Sequence, residues 1–315
     1  MTAATQGPRT RQRPRAGSPE PLARGSLAHR LLTRVLPLLP AILILVIFLA
    51  GPIVWALYSS FTNTALTGAN ARDPQWIGLE NYERLLRDPV FPSSVWLTVV
   101  FVLFSAILGQ NLAGLGLALL MRSAAKPVAA FTSTVVVAVW ILPEIVAAFT
   151  MYAYFVGDGG FNQFLGIFGV DGPNWLYSQP MMTIIVANIW RGTAFSMMIY
   201  RAALADIAPD VLEAAQIDGA NGRRQLMQIM LPMIRTSIGT NLMLITLQTL
   251  SVFTLVFVMT AGGPGNRSMI LPVYAYEQAF GFLDIGYGSA IATVMLLVGI
   301  VFGLFYVRLL RPGKD

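Results

Sequence analysis

The chain has 315 residues, 56% of them hydrophobic and only 11% charged, with a mean hydropathy of +0.65 and a formal net charge of +6. A soluble domain of this length carries roughly a quarter of its residues as charges, so most of this surface faces something other than water; continuous apolar runs, in place of alternating ones, point to helices and not a β-barrel. With no cysteine, one histidine (His29) and two isolated lysines (Lys126 and Lys314, neither in a GxxxxGK run ending in Ser or Thr), the sequence excludes disulfides, thiolate and histidine metal clusters, and a phosphate-gripping P-loop.

Residues 1–34 are rich in Arg, Pro, Gly and Ser, a composition that cannot bury a core and reads as a disordered basic cytosolic tail. Six apolar spans follow, at about 36–60, 94–120, 128–156, 181–204, 237–260 and 286–307. They make a transmembrane domain over 35–311, with 312–315 as a short C-terminal tail. Placing both termini inside leaves only Arg72, Arg84, Arg87 and Arg267 in outer segments. Every other Lys or Arg except Arg191 falls on the inner side, which sets the orientation. The arginines sit at span ends without interleaved aromatics, so they report topology and not nucleic-acid binding. In the first outer loop, WIGLENYERLLRDPVFPSS predicts a short helix; in the second, aromatic-rich 157–180 suits the membrane interface, and 261–265 (AGGPG) predicts a tight turn.

Two charges lie inside spans, where each costs about 2.5–3.5 kcal/mol on insertion scales. Glu144 is placed near the middle of the third span and Arg191 about ten residues into the fourth, at similar depth. Either they pair and hold two helices together, or one or both face a polar cavity. An ion-coupled secondary transporter would use them as a relay. Pro143 predicts a kink, and Gly109, Gly114 and Gly116 predict close helix approach.

Residues 205–236 connect two spans on the inner side. Pro209 suits a first helical position, PDVLEAAQI gives about two and a half turns, and Gly219 supplies a break. Asn221 can cap a second helix, in which Leu226, Ile229 and Met230 repeat at helical spacing. Two short helices joined by a forced turn form a rigid knob. It is either an amphipathic hairpin resting on the inner leaflet or a docking element for a cytosolic partner.

Glu213, Ala214, Ala215, Asp218, Gly219, Ala220, Ile229, Leu231 and Pro232 match EAAxxDGAxxxxxxxxIxLP. The stretch resembles the EAA loop of the membrane subunits of bacterial ATP-binding-cassette importers. VMTAGGPGNRSMILPVYAYEQAFGFLDIGYGSAIA and WIGLENYERLL resemble the carbohydrate-importer permeases, the MalF-like and UgpA-like group, and the likeness covers roughly residues 40–310. The resemblance implies an all-α permease of the type I importer fold, non-catalytic itself, with no cofactor in this chain. It also implies a heterodimer with a second permease, two cytosolic ATPase subunits holding ATP and Mg2+, and an external sugar-binding protein. Glu213 would meet a basic residue in a cleft of the ATPase. For the sugar site, the resemblance assigns Asn188, Trp190, Gly192 and Phe195 in the fourth span and Gln248 and Thr249 in the fifth, beside Arg191 and Glu144. The chemistry agrees, because sugar rings stack on Trp and sugar hydroxyls pair with Asn, Gln and Arg. Asn241 and Gln248, seven apart, share a helix face. A di- or oligosaccharide is the expected solute, with glycerol-3-phosphate or another solute left open.

Overall fold

The computed structural model describes residues 36–310; the tails expected over 1–34 and 312–315 lie outside the described residues. The chain divides into two compact units, one ending at Ile53 and one running from Val54 onward. In the first, Leu36–Ala50 is helical and buries no side chain within that unit. This run belongs to helix α1 (Leu36–Ser59).

The second unit continues with α2 (Glu80–Arg87), the predicted outer-loop helix, and then α3 (Val90–Ser123). After these come α4 (Lys126–Ile141), α5 (Glu144–Phe155) and α6 (Pro180–Ala205). The connecting hairpin is α7 (Pro209–Ile217) and α8 (Gly222–Met233). The chain then forms α9 (Arg235–Leu250), α10 (Thr254–Thr260), α11 (Leu271–Tyr276) and α12 (Ile285–Arg308). Among the described residues, α1, α3, α6 and α12 are each long and apolar enough to cross a membrane, and bent pairs raise the number to six.

Two expected spans are not the continuous helices that hydropathy suggested. The third, predicted over 128–156, turns through 105° between α4 and the helix beginning at Glu144. Pro143 has no N–H to donate and pushes Leu142 out of helical geometry, to ψ 135°. Glu144 therefore stands at the start of a helix and not in the middle of one. The fifth, predicted over 237–260, stops at Leu250 and restarts at Thr254. Ser251 satisfies part of that break by donating from Oγ to the carbonyl of Gln248 at 2.9 Å. Upstream, α8 meets α9 at 68°.

Packing brings α3, α6 and α9 together around a buried polar cluster. Tyr200 donates its hydroxyl to Asn111 Oδ1, and Asn241 Nδ2 lies 2.9 Å from the same oxygen and 3.0 Å from both Ser196 Oγ and Tyr200 Oη. Three helices thus share one hydrogen-bonded knot in an otherwise apolar interior. On one side of it lies a core around Met197, Leu204, Met121 and Met230; on the other lies a larger core around Phe101, Ile184, Leu255 and Ile291. At the far end of that larger core, Asp88 Oδ2 accepts from Tyr274 at 2.5 Å and from Tyr287 at 3.0 Å, joining the start of α3 to α11 and α12. Burial pushes the Asp88 carboxyl upward, but these hydroxyls and the Val90 N–H outweigh it and hold the group below the ordinary aspartate value.

The approach of α3 to α6 depends on Gly114. A Cβ there would sit 2.5 Å from Ser196 Cβ and 2.8 Å from the backbone nitrogen of Met197. Gly116, on the same helix, faces open space. Gly114→Ala should therefore cost about 1–3 kcal/mol by overpacking. Gly116→Ala should be neutral or stabilising by up to about 1 kcal/mol. Thermal unfolding of the two variants in detergent checks the contrast, and equal melting temperatures would mean that the close approach is not limiting.

Candidate functional site: a polar cavity at two helix breaks

Between the two cores, the α4–α5 break, the middle of α6 and the α9–α10 break enclose a cavity of about 380 Å³, open on one side. Of the residues expected at a solute site, Glu144, Asn188, Arg191, Gly192, Gln248 and Thr249 line it. Phe195 lies one turn further along α6 and stacks on Trp140, a lining residue, at 5.9 Å between ring centroids. Trp190 is not in the wall; it is half-buried against the larger core.

Glu144 is the centre of this arrangement. Its Oε1 accepts the backbone N–H of Leu255 at 3.2 Å, supplying a partner to a donor at the start of α10. Its Oε2 lies 3.9 Å from Arg191 Nη2, with both side chains partly exposed to the cavity. The two readings of this pair, tie or cavity lining, are therefore both realised: the charges face each other loosely while forming one wall. At 3.9 Å the contact is an ion pair and not a hydrogen bond. Arg191 Nε is buried without a hydrogen-bond partner among the described residues.

Gln110 is a wall residue that sequence reasoning missed. Its Nε2 donates to the carbonyl of Asn188 at 3.1 Å, crossing from α3 to α6. Gly192 makes room for it, since a Cβ there would fall 2.3 Å from the Gln110 amide carbon. The widened π turn over Val102–Gln110 carries Gln110 and Ser105 towards α6, where Asn188 Nδ2 donates to Ser105 Oγ at 2.8 Å. Much of Asn188 is thus spent on positioning helices. Gln248 is exposed to the cavity, whereas Asn241, expected on the same face, is fully buried in the polar knot. A second groove, between α3 and α12, is almost wholly apolar (Val99, Leu103, Val298, Phe302) and offers a polar solute little to bond.

The hairpin is built as its spacing predicts. The Ala220 N–H bonds the carbonyl of Ala215 at 2.9 Å and the Gly219 N–H that of Gln216 at 3.0 Å, a Schellman closure that needs Gly219 at φ +81°. Asn221 Oδ1 caps α8 by accepting the Arg224 N–H at 3.0 Å. Leu212, Met230 and Ile234 are buried against Met121, Tyr200 and Leu204, with Leu226 and Ile229 packed beside them. Ala215 is buried too and Ala220 partly so, while Glu213, Ala214, Asp218 and Gly219 face outward. Ile217, 87% exposed, stands at the tip.

Comparison with known proteins decides the family. Residues 110–314 match the family described as binding-protein-dependent transport system inner membrane component. The chain belongs to that family. Permease protein SmoG of the sulfoquinovosyl glycerol transport system of Agrobacterium fabrum is 34% identical over 92% of this chain and 93% of its own. Permease protein MalF of the trehalose/maltose system of Thermococcus litoralis is 30% identical over 89% and 94%. UgpA, the sn-glycerol-3-phosphate permease protein of Pectobacterium atrosepticum, is 27% identical over 86% and 90%. A chain of a bacterial alginate ABC transporter, solved with an alginate pentasaccharide-bound periplasmic protein, superposes with a TM-score of 0.76 at 22% identity, over 90% and 95% of the two chains. The all-α importer-permease fold is thus borne out, with multiple membrane passes.

If Glu144 holds the α10 break as well as Arg191, its variants should separate. Glu144→Gln keeps an acceptor for Leu255 and loses the charge; Glu144→Ala orphans both partners and should be less stable than Glu144→Gln by about 1–3 kcal/mol. Melting curves of the two in detergent test this, and coincident curves would remove Glu144 from the break.

Proposed function

We propose that this chain is the non-catalytic, membrane-spanning permease subunit of an ATP-driven, binding-protein-dependent carbohydrate importer. The observation that carries the reading is the hairpin: an inward face bonded into the bundle, and an outward face presenting Glu213, Ala214, Asp218 and Ile217 to a partner. A hairpin resting on lipid would need an apolar outer face, and this one is mostly polar. In this reading two ATPase subunits receive the hairpins of this chain and of a second permease, and they alone hold ATP and Mg2+. An external binding protein delivers the solute, and both termini lie in the cytoplasm. Membership of the family speaks against the ion-coupled relay.

Carbohydrate is supported by the relatives named for trehalose, maltose and sulfoquinovosyl glycerol and by the wall chemistry. Stacked Trp140 and Phe195 lie beside the amides of Gln110 and Gln248 and the charges of Arg191 and Glu144. The volume falls within the roughly 300–1,000 Å³ typical of ligand pockets. Glu144 offsets the charge of Arg191, so the wall is near neutral.

Co-purification from native membranes tests the assignment first. An ATPase and a second permease should accompany the unaltered chain. Glu213→Ala and Gly219→Pro should insert but lose the ATPase, the latter because proline cannot adopt φ +81°. Uptake should require ATP and resist a proton uncoupler at clamped ATP. Gln248→Ala and Arg191→Gln should lower uptake of the accepted sugar about tenfold while the ATPase stays bound. A chain that purifies alone and still transports would sink the importer reading.

A further inference from the structure

At the membrane face that carries the hairpin, α3 and α6 each bring an arginine near their ends: Arg122 lies in the last turn of α3 and Arg201 one turn before the end of α6. The two line one cavity of about 360 Å³, whose apolar floor is Ala118, Met121 and Leu204. Each guanidinium spends one donor on the protein, Arg122 Nη1 on the Leu204 carbonyl at 3.3 Å and Arg201 Nη1 on Ser133 Oγ at 2.9 Å. Neither has a carboxylate within ion-pair distance among the described residues, although Asp206 and Asp210 lie on the flanking turn. Pro209, the first residue of α7, completes the rim.

Two planar donor forks with unused edges, set over an apolar floor where two spans end, suit an oxyanion joined to a hydrocarbon tail. A neutral sugar leaves the guanidiniums unpaired, and free phosphate leaves the floor empty. We propose that this cavity binds the phosphate of an anionic phospholipid, with its acyl chain against Met121 and Leu204. Bound there, the lipid ties the ends of α3 and α6 to the base of α7. The site is separate from the solute cavity and does not depend on which solute the chain carries.

The test is native mass spectrometry of the full chain, with whatever subunits accompany it, titrated with phosphatidylglycerol, phosphatidylcholine or inorganic phosphate. Phosphatidylglycerol should be retained in preference to phosphatidylcholine, and millimolar inorganic phosphate should not displace it. Arg122→Gln combined with Arg201→Gln should weaken retention about tenfold or more, while Arg223→Gln combined with Arg224→Gln, on the outward face of α8, should leave it unchanged. Equal retention of the two lipids by the unaltered chain would overturn the proposal whether or not the variant folds. Displacement by phosphate would mean that the site reads a free oxyanion and would overturn the lipid assignment. Undiminished retention by a folded double variant would leave the arginines as partners of Leu204 and Ser133 only.

Discussion

A backbone group left without a partner in hydrocarbon costs several kcal/mol, so a membrane helix cannot simply stop and restart. This chain interrupts two of its spans, at Leu142–Pro143 and at 251–253, and it does so side by side. One carboxylate serves both interruptions: Glu144 begins the helix after the first break and accepts from the helix after the second. The charge that makes Glu144 a good acceptor also needs a counter-ion at that depth, which Arg191 supplies from α6. A polar cavity follows from these two requirements. Irregular backbone is tolerated where it lines such a space, and the space exists because the irregular backbone and its two charges cannot face lipid.

How much of this was legible from sequence depended on how local the cause was. The hairpin was legible in detail, because each feature is set within a few residues: Pro209 starts α7, Gly219 takes a positive φ, and Asn221 caps α8. Hydropathy located every apolar segment but could not tell an unbroken span from a broken one, since both are equally apolar. Pro143 was a visible warning, and its consequence was a turn of 105° where a kink was expected. The break at Ser251 carried no such marker. Part of its support comes from Glu144, more than a hundred residues away, which a local reading does not reach.

The cavity wall divides in the same way. Glu144 and Arg191 stood out because charges in apolar runs are costly, and Gln248 was placed by likeness to the family. Gln110 stood equally inside an apolar run, yet it went unremarked because it carries no charge; its role depends on Gly192 leaving room for it on another helix. Asn241 and Gln248 were grouped by helical spacing, and the bundle separates them: one end of that face closes onto α3 and α6 while the other opens to the cavity. Periodicity assigns a face, and only packing decides what the face meets. Trp190, grouped with the sugar site by likeness, is likewise taken up by the larger core.

The distance between hairpin and cavity is spanned by α6. From Arg191 to Leu204 is thirteen residues, or ~20 Å at helical rise, with the cavity at one end and the hairpin's apolar face at the other. Midway, Ser196 and Tyr200 bond Asn241 of α9, and Tyr200 also bonds Asn111 of α3. Helices held only by apolar contacts slide past one another at little cost; helices sharing a buried hydrogen-bonded knot lose polar partners when they do. A displacement applied to the outward face of α7 and α8 would therefore move α3, α6 and α9 together, carrying Gln110, Arg191 and Gln248 as one wall. Glu144 stands on α5, beyond that knot, and its side chain meets Arg191 of the moving wall across a 3.9 Å pair. At 3.9 Å that pair forms no hydrogen bond that a change in the cavity's shape would have to break.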